Sequence, residues 1–237
     1  MLPVRKLLAR VPFPLWVLVL GFVCYAWALD NGFMSDDLVQ LDQSGHLVHL
    51  RAQLNSAPNA FRLTAFAWFA GLQWVFGYQP VAFYFFSIIL HCLNALLLRR
   101  VLVLRGIEPG LALLTALLFL VMQNPSEAVG WLSAVNELLV GFFVLSVLWA
   151  VHSRRYALCL AFYVGALLSK ESGAVIMLLL PLFAWMPGQH TERLKLPRWL
   201  WISLAGITIA FVARFVSLVE TNFLIRSHFY SVKPNSL

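Results

Sequence analysis

Apolar residues arrive in long blocks separated by short polar turns, and the length of each block decides what it can do. The first, 11–29, carries no charge and matches the roughly 20 residues needed to cross a bilayer core. Arg5, Lys6 and Arg10 precede it, a basic flank of the kind that stays on the cytoplasmic side. Ala26-Trp27-Ala28 also fits a small-x-small cleavage site, so a signal peptide is the competing reading. Either way the chain emerges outside.

From 30 to 60 the chain is polar, with Asn31-Gly32 and Ala57-Pro58-Asn59 as turn signals. The block 61–77 is rich in aromatics, including Trp68 and Trp74, and is read as a helix lying in the interface. Spans are then expected at 80–104, 110–122 and 128–151, the last two joined by a hairpin at Gln123-Asn124-Pro125-Ser126. A short pair, 156–168 and 173–185, hinges on Ser169-Lys170-Glu171-Ser172, and 199–216 closes the series before a tail at 217–237. The pattern predicts an all-α polytopic membrane bundle forming a single domain over 1–237. It would have about seven transmembrane helices and an interfacial helix in the outer loop 30–79. No internal repeat or low-complexity segment interrupts it.

Composition agrees. Hydrophobic residues make up 61% and charged residues 11% of the chain, and the mean hydropathy is +0.82, outside the range of a soluble domain. The net charge of +7 comes from basic residues scattered between apolar blocks, with no patch or motif for nucleic acid. Their placement tests the topology. With seven spans, eleven of the 17 basic residues fall inside, among them Arg99, Arg100, Arg105, Arg154, Arg155, Arg193, Lys195 and Arg198. Arg51, Arg62, Lys170, Arg214, Arg226 and Lys233 fall outside or at the outer rim. If 61–77 crossed as well, seven would be inside and ten outside, against the positive-inside rule. The acids divide the other way: only Glu108 and Glu192 fall inside, while Asp30, Asp36, Asp37, Asp42, Glu127, Glu137, Glu171 and Glu220 fall outside. An outer cavity that uses carboxylates would account for that split. Cys24, Cys92 and Cys159 each lie within an apolar block and are read as small buried hydrophobes.

Several polar residues sit where the bilayer makes them costly. Asp36 and Asp37 follow the first span directly. Ser35 could cap a helix whose first turn holds both acids, or the acids could handle a proton at the membrane rim. Glu127 completes a capping box with Asn124 and Pro125, or faces the same rim. Lys170-Glu171 interrupts two short apolar runs, as an ion pair at a hairpin tip or as a phosphate site. Arg62 either snorkels to the interface or clamps a phosphate. His91 and Asn94, three residues apart on one helix face, suit hydrogen bonds within the bundle or contacts to a substrate.

In this order, Asn31-Gly32-Phe33 through Asp36-Asp37, Phe61-Arg62-Leu63, His91-Cys92-Leu93-Asn94, Asn124-Pro125-Ser126-Glu127 to Trp131, and Leu168-Ser169-Lys170-Glu171-Ser172-Gly173 form a recognisable series. It resembles the membrane part of the GT-C glycosyltransferases, closest to the transmembrane and tetratricopeptide-repeat O-mannosyltransferases and their bacterial relatives, over 31–181. Members of that family are longer and carry a soluble repeat domain. The chain is therefore expected to be their amino-terminal module, a truncated product or a degenerate copy.

The resemblance implies inverting transfer of a mannose-like sugar from a polyprenyl- or dolichyl-phosphate carrier to a protein or glycan acceptor on the outer face. That face would be the periplasmic side of a bacterial inner membrane or, alternatively, the lumen of the endoplasmic reticulum. Asp36 would be the base, with Asp37 and Glu127 orienting hydroxyls. Arg62 and Lys170 would neutralise the phosphate, Glu171 would position it, and His91 and Asn94 would contact substrate. Clustered carboxylates beside a phosphate suit a hard divalent ion, but the resemblance leans to a metal-free site, and no cofactor is assigned. Two other readings stay open: a non-catalytic relative acting as an assembly partner, and a small proton-coupled transporter. Transporters usually hold their ionisable groups near the midplane, whereas these acids collect at one rim.

Overall fold

The structure is a computed structural model that describes residues 13–45, 62–122, 124–186 and 193–221, with backbone alone at 43, 45, 124–126 and 218–221. The basic flank Arg5, Lys6 and Arg10, the loop residues Arg51 and Phe61, Glu192, and Arg226 and Lys233 lie outside the described residues. So do the side chains of Asn124, Pro125, Ser126 and Glu220, and with them the expected capping partners of Glu127.

The described residues are all-α, as expected. In chain order they form α1 (Phe13–Tyr25), α2 (Asp36–Gly45), α3 (Leu63–Phe76), α4 (Pro80–Leu104), α5 (Pro109–Val121), α6 (Asn124–Gly130), α7 (Val135–His152), α8 (Tyr156–Ser169), α9 (Ile176–Trp185) and α10 (Arg198–Thr221). Three 3-10 turns, Ala26–Asp30, Leu132–Ala134 and Glu171–Val175, lead out of α1 and into α7 and α9.

Local chemistry explains several of the ends. Pro80 and Pro109 occupy first-turn positions of α4 and α5, where the missing N–H costs nothing. Glu108 caps α5 by accepting from the Leu111 N–H at 2.8 Å. At the other end of α8 the backbone of Lys170 turns fully extended, at φ −164° and ψ 153°, and the helix stops.

Among the described residues, four helical stretches are long and apolar enough to cross a membrane: Phe13–Asp30, Pro80–Leu104, Leu132–His152 and Arg198–Ser217. The chain is a multi-pass membrane protein. The remaining expected spans are shorter, with 13 residues in α5, 14 in α8 and 10 in α9. At 1.5 Å per residue they cover about 20, 21 and 15 Å of a core roughly 30 Å thick.

Apolar packing forms two clusters that meet on α7. Val135, Leu138 and Leu139 belong to the first, with Val17, Tyr25, Leu41, Phe69, Phe83, Ile88 and Leu120. Val147, Ala150 and Val151 belong to the second, with Cys159, Tyr163, Leu167, Ile176, Leu180, Leu200 and Leu204. Outward-facing Val23, Leu178, Ile202 and Ile209 are each about 70% exposed, an apolar surface that suits lipid. The cysteines are free, Cys92 and Cys159 fully buried and Cys24 partly so.

Four arginines meet aromatic rings one at a time, the first of them where α7 ends and α8 begins. Arg155 lies 5.3 Å from the centroid of Trp149, and Arg105 lies 5.1 Å from that of Phe183 while donating to the Met186 carbonyl. Arg99 sits 4.5 Å over Phe13, and Arg193 5.3 Å over Trp185.

Candidate functional site

The opposite end of α7 carries the polar groups. The loop after α1 is fastened at every step: Asn31 donates to the Gly130 carbonyl at 3.2 Å, Tyr84 donates to the Gly32 carbonyl at 3.0 Å, and Phe33 meets Phe83 edge to face. Gly130 in turn lies against Trp27, so closely that a Cβ there would come within 2.4 Å of the ring. Only glycine leaves that room.

The two adjacent acids have different surroundings. Asp37 is fully buried, and one of its oxygens accepts from the Ser133 N–H at 2.7 Å and from the Ser133 hydroxyl at 2.6 Å. The other accepts from the Met34 N–H at 3.0 Å. Asp37 thus clamps the start of α2 to the 3-10 turn before α7, and it does not line the cavity described next. Between Met34 and the acids, Ser35 stands in the left-handed region at φ 41°, a strained conformation for a residue with a side chain. Its hydroxyl donates to Asp36 at 3.2 Å. Asp36 remains exposed and faces the cavity.

That cavity has a volume of about 640 Å³ and collects residues from seven separate segments. Asp36 and Gln40 come from α2, Arg62 from the start of α3, Asn94 from α4, Phe119 from α5 and Glu127 from α6. Ser133, Asn136, Glu137, Leu138 and Gly141 come from the head of α7 and the turn before it, and Lys170 from the end of α8.

Thr64 explains why Arg62 and Lys170 arrive together. Its hydroxyl donates to Ser169 at 2.7 Å and lies 3.2 Å from the Leu168 carbonyl, which ties the first turn of α3 to the last turn of α8. Ser169 itself is fully buried and donates to the Gly165 carbonyl. Gly173 then packs so tightly on Ala166 that a Cβ would lie 2.5 Å from that residue's carbonyl. Lys170 pairs with Glu137 of α7, not with its neighbour Glu171, and both partners keep partial exposure, 29% and 47%.

Of the candidate residues, Asp36, Arg62, Asn94, Glu127 and Lys170 line the cavity. Asp37, His91 and Glu171 do not. Glu171 is exposed on the 3-10 turn after α8. His91 is fully buried where its Nε2 donates to the Leu120 carbonyl at 3.1 Å, the same carbonyl that Tyr25 reaches at 2.9 Å. It joins α1, α4 and α5, so the bundle reading describes it. Asn94 has both roles, because its amide also donates to the Leu138 carbonyl at 2.9 Å.

Sequence reasoning passed over Gln40, Ser133, Asn136 and the ion-pairing role of Glu137. Asn136 and Glu137 interrupt the apolar block 128–151, and polar residues inside such a block are themselves the signal.

Chemically, the cavity offers three carboxylates, from Asp36, Glu127 and Glu137, together with the cations of Arg62 and Lys170. It can therefore take a proton from a neutral group and hold an anion within the same space. Among the described residues no three His, Cys, Asp or Glu side chains gather to hold a metal ion. No protein family, curated protein or solved structure matches the chain.

Proposed function

We propose that the chain is a GT-C-like membrane glycosyltransferase that moves a mannose-like sugar from a polyprenyl-phosphate carrier to an acceptor hydroxyl at the outer face. The observation that carries this reading is the single cavity in which Asp36 and Glu127 share space with Arg62 and Lys170. In this arrangement α3 lies in the interface, and α5, α8 and α9 complete seven crossings beside the four long helices. Short connections between α4 and α5 and between α7 and α8 favour antiparallel neighbours, which keeps the arginines on the cytoplasmic side. The cavity then opens to the periplasm of a bacterium.

The reaction needs a base, an anion site and a path for lipid. The acceptor oxygen attacks the anomeric carbon on the face opposite the phosphate, and the bond from that carbon to the phosphate oxygen breaks with inversion. Asp36 takes the acceptor's proton, and the carrier leaves as its phosphate. Arg62 and Lys170 stabilise the charge that develops there, with the planar guanidinium suited to two parallel hydrogen bonds. Glu127 orients the acceptor. Glu137 holds Lys170 until phosphate competes for it.

The test is transfer of radiolabelled mannose from undecaprenyl phosphate mannose to peptide or glycan acceptors by protein reconstituted in liposomes. Asp36→Asn is expected to reduce turnover about 10²- to 10⁴-fold with insertion intact. Wild-type turnover in that variant would remove Asp36 from the base role. Proton-coupled uptake without transfer would replace the enzyme with a transporter. Unchanged cellular behaviour of the Asp36, Glu127 and Lys170 variants would leave a non-catalytic assembly partner.

A further inference from the structure

The cavity changes character with depth. Charged side chains occupy its open end, where Asp36, Glu127 and Glu137 are exposed. At the buried end stand two neutral amides, Asn94 at 1% exposure and Asn136 at 3%, beside Leu138 and Gly141.

Both amides are oriented by the backbone. Asn94 donates its Nδ2 to the Leu138 carbonyl at 2.9 Å, and Asn136 donates its own to the Ser133 carbonyl at 3.1 Å. Turning either amide over would set oxygen against oxygen. Each Oδ1 is consequently fixed as an acceptor, and both are buried without a donor from the protein. A buried acceptor left unpaired is costly, and two at the closed end of one cavity call for donors from outside the chain.

An amide oxygen accepts from any O–H or N–H, so the choice lies between a charged donor such as an ammonium and a neutral one such as a hydroxyl. An ammonium buried this deeply needs a free counter-charge beside it, but Asp36, Glu127 and Glu137 are exposed, and buried Asp37 already accepts from Ser133 and Met34 with both oxygens. A hydroxyl needs only the acceptor. We infer that Asn94 and Asn136 read the hydroxyl groups of a polyol ring seated at the buried end, while its phosphate stays with Arg62 and Lys170 nearer the opening. This rests on the glycosyltransferase reading and extends it to the residues that distinguish a sugar-bearing carrier from a bare one.

Equilibrium binding to protein in nanodiscs tests it, with undecaprenyl phosphate mannose and undecaprenyl phosphate as probes. Wild-type protein is expected to prefer the mannosyl carrier at least tenfold. Asn136→Ala and Asn94→Ala should each remove about tenfold of that preference and leave the affinity for bare undecaprenyl phosphate unchanged. The bare carrier also reports folding, which matters for Asn94→Ala because it loses a bond between α4 and α7. If that variant fails to fold, Asn136→Ala carries the test alone, since its lost bond is local to one turn. A full preference in the folded variants would overturn the inference, as would a wild-type protein that does not prefer the mannosyl carrier. Failure to bind either carrier would overturn the glycosyltransferase reading itself.

Discussion

The two ends of α7 handle charge in opposite ways, although they are separated by only about 27 Å of helix. At its C-terminal end and around it, three arginines each meet a neighbour of their own: Arg155 over Trp149, Arg105 over Phe183 and against the Met186 carbonyl, Arg99 over Phe13. At its N-terminal end Asp36, Arg62, Glu127, Glu137 and Lys170 surround one shared space. Having charged residues at a membrane rim does not distinguish an anchor from a site. What differs is whether each charge meets a neighbour of its own or several face a common cavity.

The sharpest way to break this contrast is to remove one charge from each end. On the glycosyltransferase reading, Asp36→Asn is expected to lose two to four orders of magnitude in sugar transfer, while Arg155→Gln changes turnover by less than about twofold. Radiolabel transfer in liposomes, with both variants inserted to equal levels, measures the difference. Comparable losses at the two ends would abolish the distinction.

Next in size is a comparison within the cavity end itself. Asp37→Ala leaves the Ser133 N–H and hydroxyl and the Met34 N–H without their acceptor, and is expected to destabilise the fold by about 3 kcal/mol. Asp36→Ala, at an exposed carboxylate, should cost less than about 1 kcal/mol. Unfolding in detergent, followed by tryptophan fluorescence, separates the two. Equal losses would mean that Asp37 is no more a clamp than its neighbour.

That pair also shows what the chain's pattern makes legible. Block lengths place α4, α7 and α10 correctly, because a run of apolar residues long enough to cross lipid has few other uses. The same pattern runs 128–151 together, whereas the structure breaks it at Trp131 into α6, a 3-10 turn and α7. Block lengths do not reveal α2, whose ten residues are mostly polar and whose only deeply buried apolar side chain is Leu41; the acids after Ser35 are the signal that marks its first turn.

Site residues divide along the same line. Asp36, Arg62, Glu127 and Lys170 stand out because each is a charge at the edge of an apolar block. The separate duties of Asp36 and Asp37 are illegible, because adjacent helical residues point about 100° apart and only the position of Ser133 determines which side is inward. His91 and Asn94 share a face at a spacing of three, yet α5 takes the first through Leu120 and α7 the second through Leu138. That choice belongs to tertiary packing.

A smaller effect is expected at the ion pair of Lys170 and Glu137. Both partners are partly exposed, so Lys170→Met should alter stability by no more than about 1 kcal/mol. If Lys170 is an anion-binding group, the same variant should weaken undecaprenyl phosphate binding about tenfold, with Arg155→Met unchanged. The predicted loss should shrink as salt rises. A stability loss without a binding loss would move Lys170 to the side of the individually paired cations.

The smallest expected effect lies at the arginine end, where Glu108 is an acid serving helix geometry alone. Its carboxylate accepts from the Leu111 N–H at the start of α5, and the neighbouring Gly110 leaves it room, since a Cβ there would come within 2.8 Å of an oxygen. The N–H groups of Gly110 and Leu111 hold its pKa below the usual carboxylate value. A depressed acid stabilises the fold fully above its unfolded pKa, and that contribution disappears as pH falls through the folded one. Glu108→Gln should therefore unfold slightly earlier than wild type at neutral pH, and the gap should close below the ordinary carboxylate range. Thermal scans between pH 7 and pH 3 measure it. On the glycosyltransferase reading, transfer should be untouched at neutral pH, because this carboxylate lies outside the cavity. A gap that widened on acidification would show that Glu108 is not stabilised as a carboxylate at all.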